Sequence, residues 1–153
     1  MEIRRANALD IDEIAKLYRD TIIKINAKDY TPEQIEAWAG TYSNQAGWAR
    51  RMEEQHFYVA VSENKITGFA SIDNAGYFDL LYVHKDHQKQ GIASKLCTEI
   101  EKAAKEIGVN EITVQSSITA KSFFDKLGFT IVSEKHKLVN NVPFTNTIMA
   151  KKI

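Results

Sequence analysis

Apolar residues recur along this chain with two different periods, and the change of period marks its elements. Ile3 to Ala6 reads as a short first strand. Ile11, Ile14, Ala15, Leu17, Tyr18, Ile22 and Ile25 then follow at helical spacing and predict an amphipathic helix over residues 11–26. Asp10 stands where an N-cap belongs, with Glu13 three residues on, the pattern of a capping box. Thr31 followed by Pro32 predicts a second helix start, and that helix carries Ile35 and Trp38 and stops near Gly40. Residues 44–55 predict a third short helix bearing Trp48 and Met52. Alternation then replaces the helical period. Phe57, Val59 and Val61 interleave with Tyr58, Ala60 and Ser62 in one strand. Ile66 to Asp73 and Tyr77 to Val83 form two more, joined by the polar turns at residues 63–65 and 74–76.

The second half returns to helix. Ile92, Leu96, Ile100, Ala103, Ala104 and Ile107 share one face, which predicts a long helix from about Gln88 to Ile107, ended by Gly108. Ile112 to Val114 is a β-branched strand. Thr119 is expected to cap a short helix containing Phe123, Phe124 and Leu127, closed by Gly128. Phe129 to Val139 and Phe144 to Lys151 are the last strands, with Asn140-Asn141 as the hairpin turn and Pro143 favouring an edge. The resulting order is an α/β (α+β) domain with a mixed, mostly antiparallel sheet.

Composition narrows this picture. The 153 residues suit one domain, 1–153. Twenty basic residues balance 20 acidic ones, so no broad basic footprint for nucleic acid exists. No apolar run is long enough to span a membrane, and the first residues lack a signal peptide's apolar stretch. Cys97 is the only cysteine, which fits a reducing, cytoplasmic setting.

The candidate chemistry lies where the third strand of the meander meets the long helix. There the polar turn His84 to His87 leads into Gln88-Lys89-Gln90-Gly91-Ile92-Ala93-Ser94. A helix start leaves backbone N–H groups without intrahelical partners, and these favour anions. Gly91 and Ala93 leave the backbone approachable, and Lys89 adds charge. An anion site and an ordinary loop-to-helix turn are both compatible with these residues alone. Cys97 follows core residue Leu96, away from the helix start, and reads as a buried structural cysteine rather than a nucleophile. His84 and His87 lack a further cluster of ligands, so no metal site is expected.

Gln88, Gly91 and Ala93 fill the fixed places of motif A of the GCN5-related N-acetyltransferases (GNAT), which the stretch resembles. Ala120 to Phe129 resembles that family's second motif, and the element order is similar along the whole chain. The resemblance implies acetyl-CoA as cofactor and coenzyme A as product. Pantetheine would lie along Leu81, Tyr82 and Val83 in a gap between the third meander strand and its parallel neighbour. Pyrophosphate would rest on the amides of Gln88 to Ser94, with Phe124 against the pantetheine arm. A strand amide near Tyr82 would polarise the thioester, and the acceptor amine would attack directly.

A carboxylate must then take the ammonium proton, and Asp79 is the candidate. Its alternation with Leu81 and Val83 places its side chain on their face, although an ordinary exposed strand aspartate reads equally well. Glu36 and His56 are weaker alternatives. Where the family often has a tyrosine as acid, this chain has Phe124, so either Tyr82 or another tyrosine substitutes, or solvent or the acceptor's own proton suffices. Tyr30, Glu33 and Trp38, with Trp48 close by, combine aromatics and carboxylate suited to a cationic amine, whereas packing alone also explains the tryptophans. The acceptor is expected to be a small-molecule or protein amine and the chain a monomer or homodimer. A catalytically inactive acyl-CoA-binding sensor is the alternative reading.

Overall fold

In the computed structural model, which describes all 153 residues, the strands are β1 (Glu2–Arg5), β2 (His56–Ser62), β3 (Lys65–Ile72), β4 (Tyr77–Val83), β5 (Glu111–Ser116), β6 (Thr130–Val139) and β7 (Val142–Lys152). The helices are α1 (Ile11–Lys24), α2 (Pro32–Ala39), α3 (Gln45–Glu54), α4 (Ile92–Ile107) and α5 (Lys121–Lys126), with short 3-10 turns between some of them. The strands form one seven-stranded sheet in the order β1-β2-β3-β4-β5-β7-β6. Every pairing is antiparallel except β4 with β5.

Both faces of the central strands are covered, which is why they read as nearly continuous apolar runs. Phe57, Val59, Phe69 and Leu80 face α1, α2 and α3, where Ile14, Leu17, Ile22 and Trp48 complete one core. Tyr58, Ala60, Ala70 and Phe78 face α4, where Leu96, Ile100 and Ala104 complete the other. The close approach of α4 to β3 depends on Gly68. A Cβ there would lie 2.9 Å from Ile92 Cγ2, 3.1 Å from Leu96 Cδ1 and 3.1 Å from the Tyr82 carbonyl oxygen. Gly68→Val is therefore expected to cost about 1–3 kcal/mol through overpacking. That loss lowers Tm by roughly 3–9 °C for a domain of this size. An unchanged melting curve would show that α4 has more freedom than this packing implies.

Local details differ from the sequence expectations for identifiable reasons. Asp10 does not cap α1 with its side chain. Asn7 and Asp10 instead form a capping box one turn earlier. Asp10 also holds Arg4 through two bonds of 2.9 Å. Glu13 accepts a bond from the Ile66 amide. The α2 start is as expected, with Thr31 and Gln34 in a reciprocal capping box. Ala120, not Thr119, occupies the cap of α5, because the Thr119 hydroxyl donates to Asp29 at 2.8 Å. Helix α4 begins at Ile92 rather than Gln88, since Lys89 (φ 58°) and Gly91 (φ 80°) take left-handed conformations that a helix excludes.

Asn140 and Asn141 form the hairpin turn with φ of 48° and 66°. Strand β7 lies between β5 and β6, so Pro143 is on an interior strand. It nevertheless sits beyond the stretch Thr147–Lys152 that pairs with β5, and its missing N–H breaks no ladder there. Its carbonyl accepts from Gln34 Nε2 at 3.1 Å, which ties α2 to the hairpin.

Candidate functional site

The parallel pair at the centre of the sheet is short. Strands β4 and β5 pair only at Tyr77↔Thr113 and Phe78↔Val114, and then diverge. A cavity of about 660 Å³ opens at this divergence. Its walls come from β4, the start of α4, α5, the β6–β7 hairpin and α1 to α3.

Strand β4 offers unpaired backbone to the gap. The His84 amide bonds to the Thr67 carbonyl at 2.8 Å. With the register Gly68↔Val83 to Ser71↔Leu80, antiparallel alternation turns the N–H and C=O groups of Leu81 and Val83 away from β3 and towards the gap. The same alternation commits the Tyr82 amide to the β3 ladder, so the free amide next to it belongs to Leu81. The Val83 carbonyl already accepts from the Thr21 hydroxyl at 3.0 Å and from Gln88 Nε2 at 2.7 Å.

At one end of the cavity, the loop ahead of α4 leaves backbone donors exposed. Ile92, Ala93 and Ser94 occupy the first helical positions, where amides have no intrahelical partner. A Cβ on Gly91 would have nothing within 4 Å, so the space beside this backbone is open. Gln88, Lys89, Gly91, Ile92, Ala93 and Ser94 line the cavity, whereas Gln90 is exposed outside it. Gln88 spends its side-chain amide on the Val83 and His84 carbonyls, which fastens the loop to the end of β4. This donor set (unpaired amides, a helix N-terminus and Lys89) fits a diphosphate. His84 and His87 meet edge to face at 5.1 Å, and no group of three metal-binding side chains is placed to hold an ion.

At the other end sits Asp79, and here the structure corrects the sequence reading. Ser71 pairs with Leu80 and Ile72 with Phe78, so Asp79 is the extra residue of a β-bulge. Alternation therefore does not carry from Asp79 to Leu81 and Val83. The Asp79 side chain turns instead to α3, where Oδ2 accepts from Arg51 Nε at 2.8 Å and Gln55 Nε2 at 2.9 Å. Its Oδ1 has no hydrogen-bond partner and is not sealed from solvent. Asp79 lines the cavity together with Arg51, Tyr77 and Lys137. Burial and the neighbouring Asp79 charge push the Tyr77 phenol up to about 12.

The remaining expected residues divide clearly. Tyr30, Trp38 and Phe144 form an aromatic cluster with ring centroids 5.2 to 6.2 Å apart, on the cavity wall. The Tyr30 hydroxyl accepts from the Ile118 amide at 2.8 Å. With Thr119–Asp29, that bond joins the segment after α1 to the loop after β5. Tyr82 stacks on Phe69 at 5.4 Å and tilts against Tyr18 at 4.8 Å, and burial holds its phenol well above the usual tyrosine range. Phe124 is buried against Phe78 and Phe129 and reaches the cavity wall. Trp48 is a core residue whose indole N–H donates to the Tyr42 carbonyl at 2.9 Å, although its edge reaches the cavity.

Three candidates are placed elsewhere. Glu33 is exposed on α2 outside the cavity. Glu36 borders a separate crevice between α1 and α2. His56 is held between Arg5 and Asn74 at 3.0 and 2.9 Å, away from the cavity. Sequence reasoning missed Arg51, Gln55, Thr21 and Lys137. Arg51 lies on a helix noted only for its apolar face, and Lys137 lies in a strand with few apolar signals, so no local pattern points to either.

Cys97 is buried on α4, and burial together with Glu101 pushes its thiol up to about 12. At pH 8 its thiolate fraction is then on the order of 10⁻⁴. Ellman's reagent is expected to leave the native protein essentially unreacted over an hour and to titrate one thiol in denaturant. Rapid stoichiometric reaction of the native protein would refute this.

Comparison with known proteins adds to this geometry. Residues 26–152 match the family model described as an acetyltransferase (GNAT) domain. The N-acetyltransferase YafP of Escherichia coli (strain K12), itself uncharacterized, is 29% identical over 153 residues, covering 99% of this chain and 96% of its own. A solved GCN5-related N-acetyltransferase from Rhodopseudomonas palustris has a TM-score of 0.96 at 30% identity, covering 99% of this chain and 95% of that one. An N-acetyltransferase PaiA from Thermoplasma acidophilum, solved with coenzyme A, has a TM-score of 0.83 at 22% identity, covering 99% and 98%, a likeness of fold.

Proposed function

The chain belongs to the GNAT acetyltransferase family, and from that premise we propose that it moves the acetyl group of acetyl-CoA directly to a primary amine of a small molecule or protein. The observation that carries this reading is the continuous path along β4. It runs from the unpaired amides at the α4 start, past the outward backbone of Leu81 and Val83, to the open Oδ1 of Asp79.

When bound, acetyl-CoA supplies an activated thioester carbonyl. We assign the amides of Ile92, Ala93 and Ser94, with Lys89, to the pyrophosphate. The Leu81 carbonyl and the Val83 amide hold the pantetheine as an added strand would, and Phe124 packs beside it. To the Leu81 amide, free on the gap side, we assign donation to the thioester oxygen as it gains negative charge. Asp79 Oδ1 takes the acceptor's proton, directly or through one water, while Arg51 and Gln55 hold Oδ2 and fix the carboxylate. Tyr82 belongs to the acceptor wall. A coenzyme A thiol of pKa about 8.5 leaves as its thiolate without needing a general acid, and the Tyr82 ring is packed between Phe69 and Tyr18. We therefore assign protonation of the coenzyme A thiolate to solvent. No helix is long and apolar enough to cross a membrane. We place the activity in the one domain, 1–153, in the reducing cytoplasm.

Phe124 in the place of an acid also favours a second reading, an acyl-CoA-binding sensor without turnover. Titration calorimetry is expected to show saturable acetyl-CoA binding, with Kd in the range of about 1 μM to 1 mM. Absence of binding at millimolar cofactor overturns both readings. Release of free thiol with a panel of amines separates them, since turnover excludes the sensor.

A further inference from the structure

The acceptor end of the cavity carries more positive charge than a site for a simple cationic amine needs. Its charged side chains are Arg51, Asp79 and Lys137, whereas His87 and Lys89 lie at the α4 end. Asp79 is already paired with Arg51 at 2.8 Å. Lys137 takes part in none of the molecule's ion pairs. The glutamates of α2 that would have offset it, Glu33 and Glu36, lie outside the cavity.

Lys137 also faces inward by register. It stands directly opposite Phe144 in the β6–β7 ladder, and directly opposed residues share one face of a sheet. Phe144 is buried against Tyr30 and Trp38 on the cavity wall, so the Lys137 stem follows it there. The residue as a whole is exposed, but its ammonium end is partly desolvated, and burial lowers its pKa while Asp79 offsets some of that effect. A lysine that served only solubility would extend from the hairpin into water instead.

We propose that Lys137 is a specificity-determining residue that binds an anionic group, such as a carboxylate, carried by the acceptor amine itself. This rests on the acetyltransferase reading and deepens it. The acceptor then spans the site with two poles. Its amine lies at Asp79 Oδ1, its anion at Lys137, and its body lies against Tyr30, Trp38 and Phe144. A cation without an ion-pair partner, beside a carboxylate already paired with Arg51, selects an amino acid-like molecule over a plain alkylamine, because the acceptor's own anion becomes the partner of Lys137.

The test uses matched probes: glycine, L-leucine and L-phenylalanine, each against its carboxamide, with aminomethylphosphonate as a second anion. Binding is measured by calorimetry on the free protein and on its coenzyme A complex, so no turnover is required. At least one acid should bind about tenfold or more tighter than its amide. In Lys137→Gln that ratio should collapse towards one, and Lys137→Arg should restore it. Preference for the phosphonate over glycine would identify a larger anion at the same residue and supports the assignment. Amides that bind as well as the acids, no acid that binds at all, or a ratio unchanged in Lys137→Gln would overturn it. Failure of coenzyme A binding would instead strike the acetyltransferase reading, and it is read in the same titration series.

Discussion

Replacement of Gly91 by glutamate is expected to weaken acetyl-CoA binding by about a hundredfold or more while leaving the protein folded. The folded state tolerates the added atoms, because a Cβ at Gly91 has nothing within 4 Å. The cost to folding is the left-handed backbone, φ 80°, roughly 1–2 kcal/mol for a residue with a Cβ. The cost to binding is larger and separate. A carboxylate about 5 Å from a phosphate charge costs about 3 kcal/mol at an effective dielectric constant of about 20, which corresponds to roughly a hundredfold in Kd. Gly91→Ala supplies the control, since it carries the backbone strain without the charge. Calorimetric Kd values for the three proteins, each with its melting curve, separate the two costs. Glutamate binding within about threefold of alanine would remove the proposed phosphate site.

Asp79→Asn is expected to lower kcat/KM by roughly 10² to 10⁴ at pH 7.4, the usual range for loss of a positioned base. Asparagine retains an acceptor oxygen for Arg51 and Gln55, so the bulge and its bonds survive better than with alanine. The pH dependence distinguishes proton transfer from mere support of Arg51. An alkylammonium of pKa about 10.4 is about 0.1% free amine at pH 7.4 and about 10% at pH 9.4. If Asp79 removes the proton, the deficit of the variant narrows at the higher pH. A deficit that stays constant across this span would make Asp79 a positioning residue only, and activity within about twofold of the unaltered protein at pH 7.4 would remove it from the mechanism.

Both substitutions touch residues that stand out in the sequence, but for different reasons. Gly91 belongs to a contiguous stretch whose pattern is local: a strand, a polar turn, and a glycine before an apolar helical face. Its chemistry depends on backbone groups a few residues apart, so short-range spacing suffices to find it. Asp79, singled out as the candidate base, lines the cavity, but the alternation that pointed to it does not hold. Strict alternation would place it beside Leu81 and Val83, yet the bulge between Phe78 and Leu80 reverses its direction. A bulge is created by the pairing of two strands, and nothing in residues 77–83 alone announces it.

The periods of apolar residues were sufficient to determine the helices and strands, their order, and an α/β domain with a mostly antiparallel sheet, because burial of one face imposes 3.6 or 2 on the local sequence. The α4 loop stood out by short-range spacing and the Tyr30–Trp38 segment by its composition, and the structure puts Tyr30 and Trp38 on the cavity wall. The tertiary structure alone decided which side chains share the site. It inserted β7 between β5 and β6 and splayed β4 from β5 after two pairs. It also brought Arg51 of α3, Asp79 of β4 and Lys137 of β6 to one cavity, set Gln55 behind Asp79, and left Glu33 and Glu36 outside. Those residues lie far apart along the chain, and polar side chains leave no periodic trace in the sequence. Their meeting follows from the packing of helices on a twisted, divided sheet.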